Sequence, residues 1–193
     1  MKKDHVSLQR GPFLAPIWLT AIAAVGAALV LGLSAFTVWA WATAASTTVV
    51  VIRHAEKDLS TGTLDPPLSE AGKARAALLS RMFGDGSALG HLDAIYVTSP
   101  LRNRLTAAPL AARLGISPVI SAAEDPRELA RRVLREHGGG RILIVGHSDT
   151  VPAIVAALGG GDNVPAMGDD EYGTMYIVTV PRIGHANLLR LSY

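Results

Sequence analysis

The stretch TTVVVIRHAEKD, Thr47 to Asp58, decides how the chain folds. Its first half is a run of β-branched residues, which is typical of a strand buried in a sheet. The run ends in Arg53 and His54 instead of a turn residue. Two basic groups at the end of a buried strand need an explanation, and the rest of the chain supplies one.

The N-terminal part of the chain contains a long uncharged segment, residues 17–42, which reads IWLTAIAAVGAALVLGLSAFTVWAWA. At about 1.5 Å per residue, a helix of this length spans a hydrocarbon core of about 30 Å with some tilt. Tryptophans stand at both ends, where amphipathic rings prefer the membrane interface: Trp18, Trp39 and Trp41. The segment therefore predicts one transmembrane helix, through which the protein associates with a membrane.

A cleaved signal peptide is the alternative, because two small-x-small sites lie between residues 40 and 44. The apolar core is longer than the roughly 7–15 residues of a signal peptide, which favours an anchor. The segment is preceded by three basic residues, Lys2, Lys3 and Arg10. Basic residues before a transmembrane segment keep the preceding part of the chain, here residues 1–16, in the cytoplasm. We therefore expect a single-pass protein of a bacterial inner membrane, with residues 46–193 forming a domain on the periplasmic side.

Composition excludes several function classes for that domain. Three basic residues and one acidic residue lie in the first 42 positions, so the remainder carries 15 of each sign. A neutral domain lacks the basic excess of a nucleic-acid surface, and we expect no nucleic-acid partner. The chain has no cysteine, which excludes disulfides, thiolate metal sites and cysteine nucleophiles.

Short β-branched runs alternate with amphipathic helical stretches after residue 46. The predicted strands are Thr48–Ile52, Ala94–Thr98, Pro118–Ser121 and Ile142–Val145, followed by a hairpin of Thr174–Val180 and Ala186–Leu191. The predicted helices are Glu70–Phe83, Leu101–Leu114, Arg127–Glu136 and Val151–Leu158. This alternation predicts the α/β class, a three-layer α/β/α sandwich with a mostly parallel central sheet, preceded by the transmembrane helix.

Basic residues follow three of these strands. Arg53 and His54 come after the first strand, Arg102 shortly after the second, and His147 after the fourth. Ligands of open α/β sheets bind beyond the carboxyl ends of the strands, so these four side chains are expected at one rim. Two arginines and two histidines suit a phosphoryl group, because the planar guanidinium matches phosphate oxygens and stays charged. A histidine between arginines would remain neutral and nucleophilic.

Three ordered motifs carry a resemblance to a known family: RHAEK at Arg53–Lys57, TSPLRNRLTAAPLAARLG at Thr98–Gly115 and VGHSDTVPAIVAALGG at Val145–Gly160. They resemble the histidine phosphatase superfamily, in its phosphoglycerate-mutase-like branch, and the RHAE variant is similar to the small phosphatases. The resemblance implies that His54 is the phosphorylated nucleophile and that Arg53, Arg102 and His147 bind the phosphate. It implies a small phosphorylated substrate or a phosphoprotein, and neither a metal nor an organic cofactor.

The general acid is less defined by these motifs. In related enzymes a glutamate follows the helix that bears the second arginine, which makes Glu124 the positional candidate, with Glu56 and Asp149 as alternatives. Asp149 also departs from the family pattern, because it replaces the asparagine of the common Gly-His-Ser-Asn-Thr sequence. A carboxylate there would repel phosphate or donate a proton.

Three other functions compete with the phosphatase. A relative that binds phospho-ligands without turnover is one, and a phosphomutase is another, although the short chain offers little material for a lid that excludes water. A serine hydrolase is suggested by Gly-His-Ser after a strand and by HGGG at residues 137–140. Thr150 stands where the nucleophile elbow needs glycine, which argues against that class.

Overall fold

The computed structural model describes residues 17–44, 46–84, 87, 89–121, 125–161 and 163–193. The chain divides after Trp41 into two units. The first contains most of helix α1, Ile17–Ala44, whose large apolar side chains are exposed along its length. The span Trp18–Trp41 has a mean hydropathy of 2.2 and is long and apolar enough to cross a membrane or to serve as a signal sequence.

The second unit is an α/β domain built on one six-stranded sheet. Its strands are β1 Thr47–Arg53, β2 Ala94–Thr98, β3 Val119–Ser121, β4 Arg141–Gly146, β5 Thr174–Val180 and β6 Asn187–Ser192, in the order β3-β2-β4-β1-β5-β6. Strand β1 pairs in parallel with β4, and β2 pairs in parallel with both β4 and β3. Strand β5 is antiparallel to β1 and to β6. The mostly parallel sheet is confirmed, and the C-terminal hairpin extends it antiparallel on one side.

In the described part of the domain, four α-helices cover the sheet: α2 Glu70–Met82, α3 Leu101–Leu114, α4 Pro126–Glu136 and α5 Thr150–Ala157. Alternate residues of each strand serve opposite faces, which follows from the two-residue period of a strand. Val49 and Val51 pack with the side chains of α4 and α5. Val50 and Ile52 pack with those of α2 and α3. The domain is therefore the predicted three-layer α/β/α sandwich.

Local sequence signals explain where the helices begin and end. The Ser69 hydroxyl accepts a hydrogen bond from the Gly72 N–H and caps α2. Gly115 ends α3 in the left-handed conformation at φ 67°. Gly72 also lets α2 approach the chain after β1, because a Cβ there would clash with the Glu56 carbonyl oxygen. This contact holds α2 against the RHAE turn.

Candidate active site

Three strand ends bring the predicted site residues together. Arg53 ends β1 and His54 follows it, while His147 follows β4 directly. The His54 N–H donates to the Gly146 carbonyl oxygen at 2.9 Å, which joins the two turns. Arg102 lies in the first turn of α3, which begins three residues after the end of β2. The four residues predicted for phosphate binding and catalysis, Arg53, His54, Arg102 and His147, all line one open cleft of about 480 Å³.

The hydrogen bonds of His54 define its tautomer. Its Nδ1 lies 2.8 Å from the Ala55 carbonyl oxygen, which can only accept, so Nδ1 carries the proton. Its Nε2 accepts a hydrogen bond from Arg102 Nε at 3.1 Å. The residue is 4 % exposed. The Nε2 lone pair is thus directed at an arginine, on the side where an anion would bind.

Burial and neighbouring cations keep His54 neutral. Burial is the main cause that lowers its pKa from 6.5 to about 4, and the positive charge of Arg102 adds to it. The hydrogen bond to Ala55 acts in the opposite direction and is outweighed. At neutral pH the imidazole therefore has the free electron pair that a nucleophile requires.

His147 faces His54 with a ring-centroid distance of 5.3 Å in an edge-on arrangement. Its Nε2 lies 2.9 Å from the Thr98 hydroxyl, and its Nδ1 lies 3.5 Å from Arg102 Nη2. Because the guanidinium only donates, Nδ1 bears the lone pair and Nε2 donates to Thr98. Burial, and next the charge of Arg102, lower the pKa of His147, while Asp149 opposes them.

Asp65 holds the start of α3 and was not identified from the sequence. Both of its carboxylate oxygens accept from the Leu101 N–H at 3.0 Å, and one lies 3.6 Å from Arg102 Nη1. The residue at the helix N-cap, Pro100, has no side-chain cap of its own. Asp65 and Leu101 are separated by 36 positions in the sequence, which explains why no local pattern revealed this contact.

Two buried polar residues of α3 join the helix to the strand ends. The Thr106 hydroxyl accepts from the Ala55 N–H at 2.9 Å and donates to the Arg102 carbonyl oxygen at 2.7 Å. The Asn103 amide donates to the carbonyl oxygens of Val145 and Gly146, each at 3.1 Å. Helix α3 is therefore tied to both turns that bear the histidines, which fixes Arg102 between them.

The three general-acid candidates have different surroundings. Glu124 lies outside the described residues. The Glu56 carboxylate forms an ion pair with Arg75 at 2.6 Å, and hydrogen bonds from Arg75 lower its pKa despite the opposing effect of burial. Asp149 is exposed and lines the cleft, together with Lys57 and Asp169, which the sequence had not singled out.

A second, more apolar cavity of about 220 Å³ adjoins His147. Its lining includes Tyr96, Leu129, Ile144 and Ile154, from the sheet and from the helices α4 and α5.

Among the described residues, no cluster of three His, Asp or Glu side chains is arranged to hold a metal ion. The cleft itself presents two imidazoles and two guanidiniums, a set that can bind an anion and offer it a nucleophile.

Comparison with known proteins agrees with this geometry. The family model described as histidine phosphatase superfamily (branch 1) matches residues 49–127. No curated protein sequence matches the chain.

Solved structures share the fold at low sequence identity. A mycobacterial glucosyl-3-phosphoglycerate phosphatase is 17 % identical with a TM-score of 0.58, over 77 % of this chain and 98 % of its own. A protein from Agrobacterium tumefaciens described as a phosphohistidine phosphatase, SixA, is 21 % identical with a TM-score of 0.57, over 76 % and 98 %. The protein histidine phosphatase SixA in complex with tungstate is 14 % identical with a TM-score of 0.55, over 75 % and 96 %.

Proposed function

We propose that the chain, whose residues 49–127 match the histidine phosphatase superfamily (branch 1), hydrolyses a phosphomonoester through a phosphohistidine intermediate on His54. The observation that carries the proposal is the neutral His54 ring, whose Nε2 lone pair meets Arg102 Nε at 3.1 Å. A phosphoryl group entering there would find the nucleophile and its charge partner together. Phosphoryl transfer depends mainly on such positioning and on charge stabilisation.

The reaction proceeds in two steps. His54 Nε2 attacks phosphorus in line with the ester oxygen, so that the P–N bond forms as the P–O bond breaks, and the leaving oxygen takes a proton from the general acid. Water then attacks phosphorus and gives a proton back to the deprotonated general acid, the P–N bond breaks with its electron pair returning to His54 Nε2, and inorganic phosphate leaves. Arg53 and Arg102 bind the phosphoryl oxygens throughout. His147 takes up a proton as the phosphate dianion binds, because a nearby negative charge raises a histidine pKa, and then donates to a phosphoryl oxygen.

Replacement of the nucleophile tests this mechanism. His54→Ala should abolish hydrolysis of an aryl phosphate by the full-length protein in detergent. Wild type quenched during turnover should carry acid-labile, base-stable phosphate, and the variant should carry none. His91→Ala, at an exposed position outside the cleft, is the matched control. Phosphate release at near wild-type rate by His54→Ala would exclude covalent catalysis at this residue. Binding without turnover in the wild type would indicate a phospho-ligand module, and transfer without phosphate release a mutase.

For the general acid we propose Glu124, with Asp149 as the alternative that lines the cleft. The ion pair with Arg75 makes Glu56 less suited to give up a proton. A general acid matters most when the leaving group is poor. The variant that removes the general acid should therefore lose far more activity on an alkyl phosphate than on p-nitrophenyl phosphate. Glu124→Gln, Asp149→Asn and Glu56→Gln should be compared on both substrates. Equal losses on the two substrates would remove a residue from this role.

We further propose that α1 anchors the phosphatase domain, residues 46–193, on the periplasmic side of the inner membrane, with residues 1–16 in the cytoplasm. The length and hydropathy of Trp18–Trp41 support an anchor. A reporter that functions only outside the cytoplasm, fused after Tyr193, should be active, and the protein should sediment with membranes at its full mass. A mature mass lacking the first 42 or 44 residues would establish a signal peptide instead.

A further inference from the structure

We propose that residues 168–174, which we call the brace, position Arg53 for phosphate binding, and that Tyr172 is the positioning residue at its centre. The inference rests on the proposed function, because it concerns the same cleft. Most of the brace is the connection that precedes β5. Its contacts with the site are long-range, at separations of 115 and 118 residues.

The Arg53 side chain is held on one side by the backbone of the brace. Its Nη1 donates to the Gly168 carbonyl oxygen at 2.7 Å and to the Glu171 carbonyl oxygen at 3.2 Å. The residue is 5 % exposed, and its Nε is buried without a hydrogen-bond partner among the described residues. An arginine in an apolar environment needs its donors satisfied. The two carbonyl oxygens of the brace satisfy Nη1 and hold the buried guanidinium in one orientation.

Tyr172 restrains the same guanidinium from its face. The Arg53 guanidinium carbon lies 4.1 Å from the centre of the Tyr172 ring, within the range of a cation–π contact. The same ring lies 6.0 Å from the His54 ring, measured between centroids. One aromatic side chain thus borders both the phosphate-binding arginine and the nucleophile, and it fixes their relative position.

The brace is itself held in shape by the Glu171 side chain. Its carboxylate accepts from the Thr174 hydroxyl at 2.6 Å, from Arg190 at 2.8 Å and from the Gly168 N–H at 3.3 Å. Arg190 belongs to β6 and lies opposite Tyr176 of β5 in the sheet. The rigid hairpin thereby fixes the carbonyl oxygens that hold Arg53. A displacement of about 1 Å in such a group can cost roughly 100-fold in rate.

Tyr172→Ala and Tyr172→Phe, in the full-length protein in detergent, separate positioning from general stability. The phenylalanine keeps the ring, so kcat/KM for an aryl phosphate should stay within about threefold of the wild type. The alanine should lower kcat/KM by about 10- to 100-fold and weaken tungstate binding in calorimetry. Arg190→Gln should also raise the KM for the aryl phosphate and the Kd for tungstate, by a smaller factor than Tyr172→Ala. Arg131→Gln, which breaks the exposed ion pair with Glu128 on α4, should change neither.

The outcomes distinguish this inference from the proposed function. If the wild type turns over and Tyr172→Ala retains its kcat/KM and tungstate affinity, the positioning role is wrong and the phosphatase stands. If the wild type binds tungstate without turnover and Tyr172→Ala binds it more weakly, the positioning role stands and the phosphatase does not. Wild type that fails to bind tungstate overturns the inference. The inference is also overturned if Tyr172→Ala loses only thermal stability, with unchanged kinetics and tungstate binding.

Discussion

Arg53 and Arg102 are the same residue type on two walls of one cleft, but the structure holds them in different ways. Arg53 is buried, and its Nη1 donates to backbone carbonyl oxygens. Arg102 is partly exposed and contacts three side chains, namely His54, His147 and Asp65. The difference indicates a division of labour. Under the proposed mechanism we expect Arg53 to hold phosphate from a fixed position, and we expect Arg102 both to hold phosphate and to add to the lowering of the His54 pKa.

Apart from loss of the nucleophile itself, the largest effect is expected from removing Arg102, the arginine that contacts His54. Arg102→Ala should lower kcat/KM for an aryl phosphate by roughly 10²–10³, the usual loss when one preorganised donor is removed from charge that develops in a transition state. Both kcat and KM should change, because ground-state and transition-state contacts are lost together. Arg104→Ala, two residues along α3 and exposed, is the control. Equal kinetics in the two variants would refute the assigned role.

Thr106 connects α3 to the turn after β1. Its replacement is expected to have the next largest effect, which is on the free energy of unfolding. Thr106→Val removes the acceptor of the buried Ala55 N–H, and an unsatisfied buried donor costs about 1–3 kcal/mol in the free energy of unfolding. Thr106→Ser keeps the hydroxyl and should lose much less. Urea denaturation monitored by circular dichroism would measure both. A valine variant as stable as the serine variant would show that the hydrogen bond contributes little.

A smaller effect is expected at Asp65, because its side chain is half exposed. Asp65→Ala removes the cap of α3 and should lower the free energy of unfolding by about 1 kcal/mol. Asp65→Asn keeps an oxygen acceptor and loses the charge beside Arg102. It should therefore preserve stability and alter KM. If the two variants behave alike in denaturation, Asp65 does not act as a cap.

The smallest expected effect is a difference between Arg53 and Arg102 in how far each lowers the pKa of His54. Arg102 lowers the pKa of His54 more than Arg53 does, so Arg102→Ala should raise this pKa further than Arg53→Gln. Burial remains the main cause, and the pKa should stay below 6.5 in both variants. Histidine ¹⁵N chemical shifts recorded against pH would measure it. An equal shift in both variants would contradict the division of labour.

The lowered pKa of His54 also predicts how the stability of the protein depends on pH. Since the folded-state pKa of His54, about 4, lies below 6.5, protonation favours the unfolded chain. The contribution to stability is complete above pH 6.5 and is lost as the pH falls towards 4. His54→Ala should therefore be less sensitive to acid over this window than the wild type.

The framework of the site was predictable because its signals are local. The β-branched run before Arg53, and the apolar period and Gly115 stop of α3, determine where the strand and the helix end, and α3 was placed with its observed bounds Leu101–Leu114. The parallel arrangement then brings the ends of β1, β2 and β4 to one edge. Three residues that follow those ends, His54, Arg102 and His147, need no further information to meet.

The supporting contacts were not predictable, because they join segments distant in sequence. Asp65 follows no periodic pattern, and its function depends on a helix start 36 positions later. Tyr172 and Glu171 lie in an acidic loop whose composition indicates only exposure. Their importance arises from the antiparallel addition of β5 and β6 next to β1, a pairing that the hairpin pattern does not specify.

The strand order has a consequence for synthesis of the protein. Strand β1 lies between β4 and β5, so the segment that carries Arg53 and His54 is made first but obtains its second neighbour only when Thr174–Val180 appears. At roughly 5–20 residues per second, the delay between the two is on the order of 10 s. During that interval an apolar strand has an unpaired edge, open to chaperones and proteases. Chains interrupted before residue 174 should therefore be degraded instead of accumulating as a partly active enzyme.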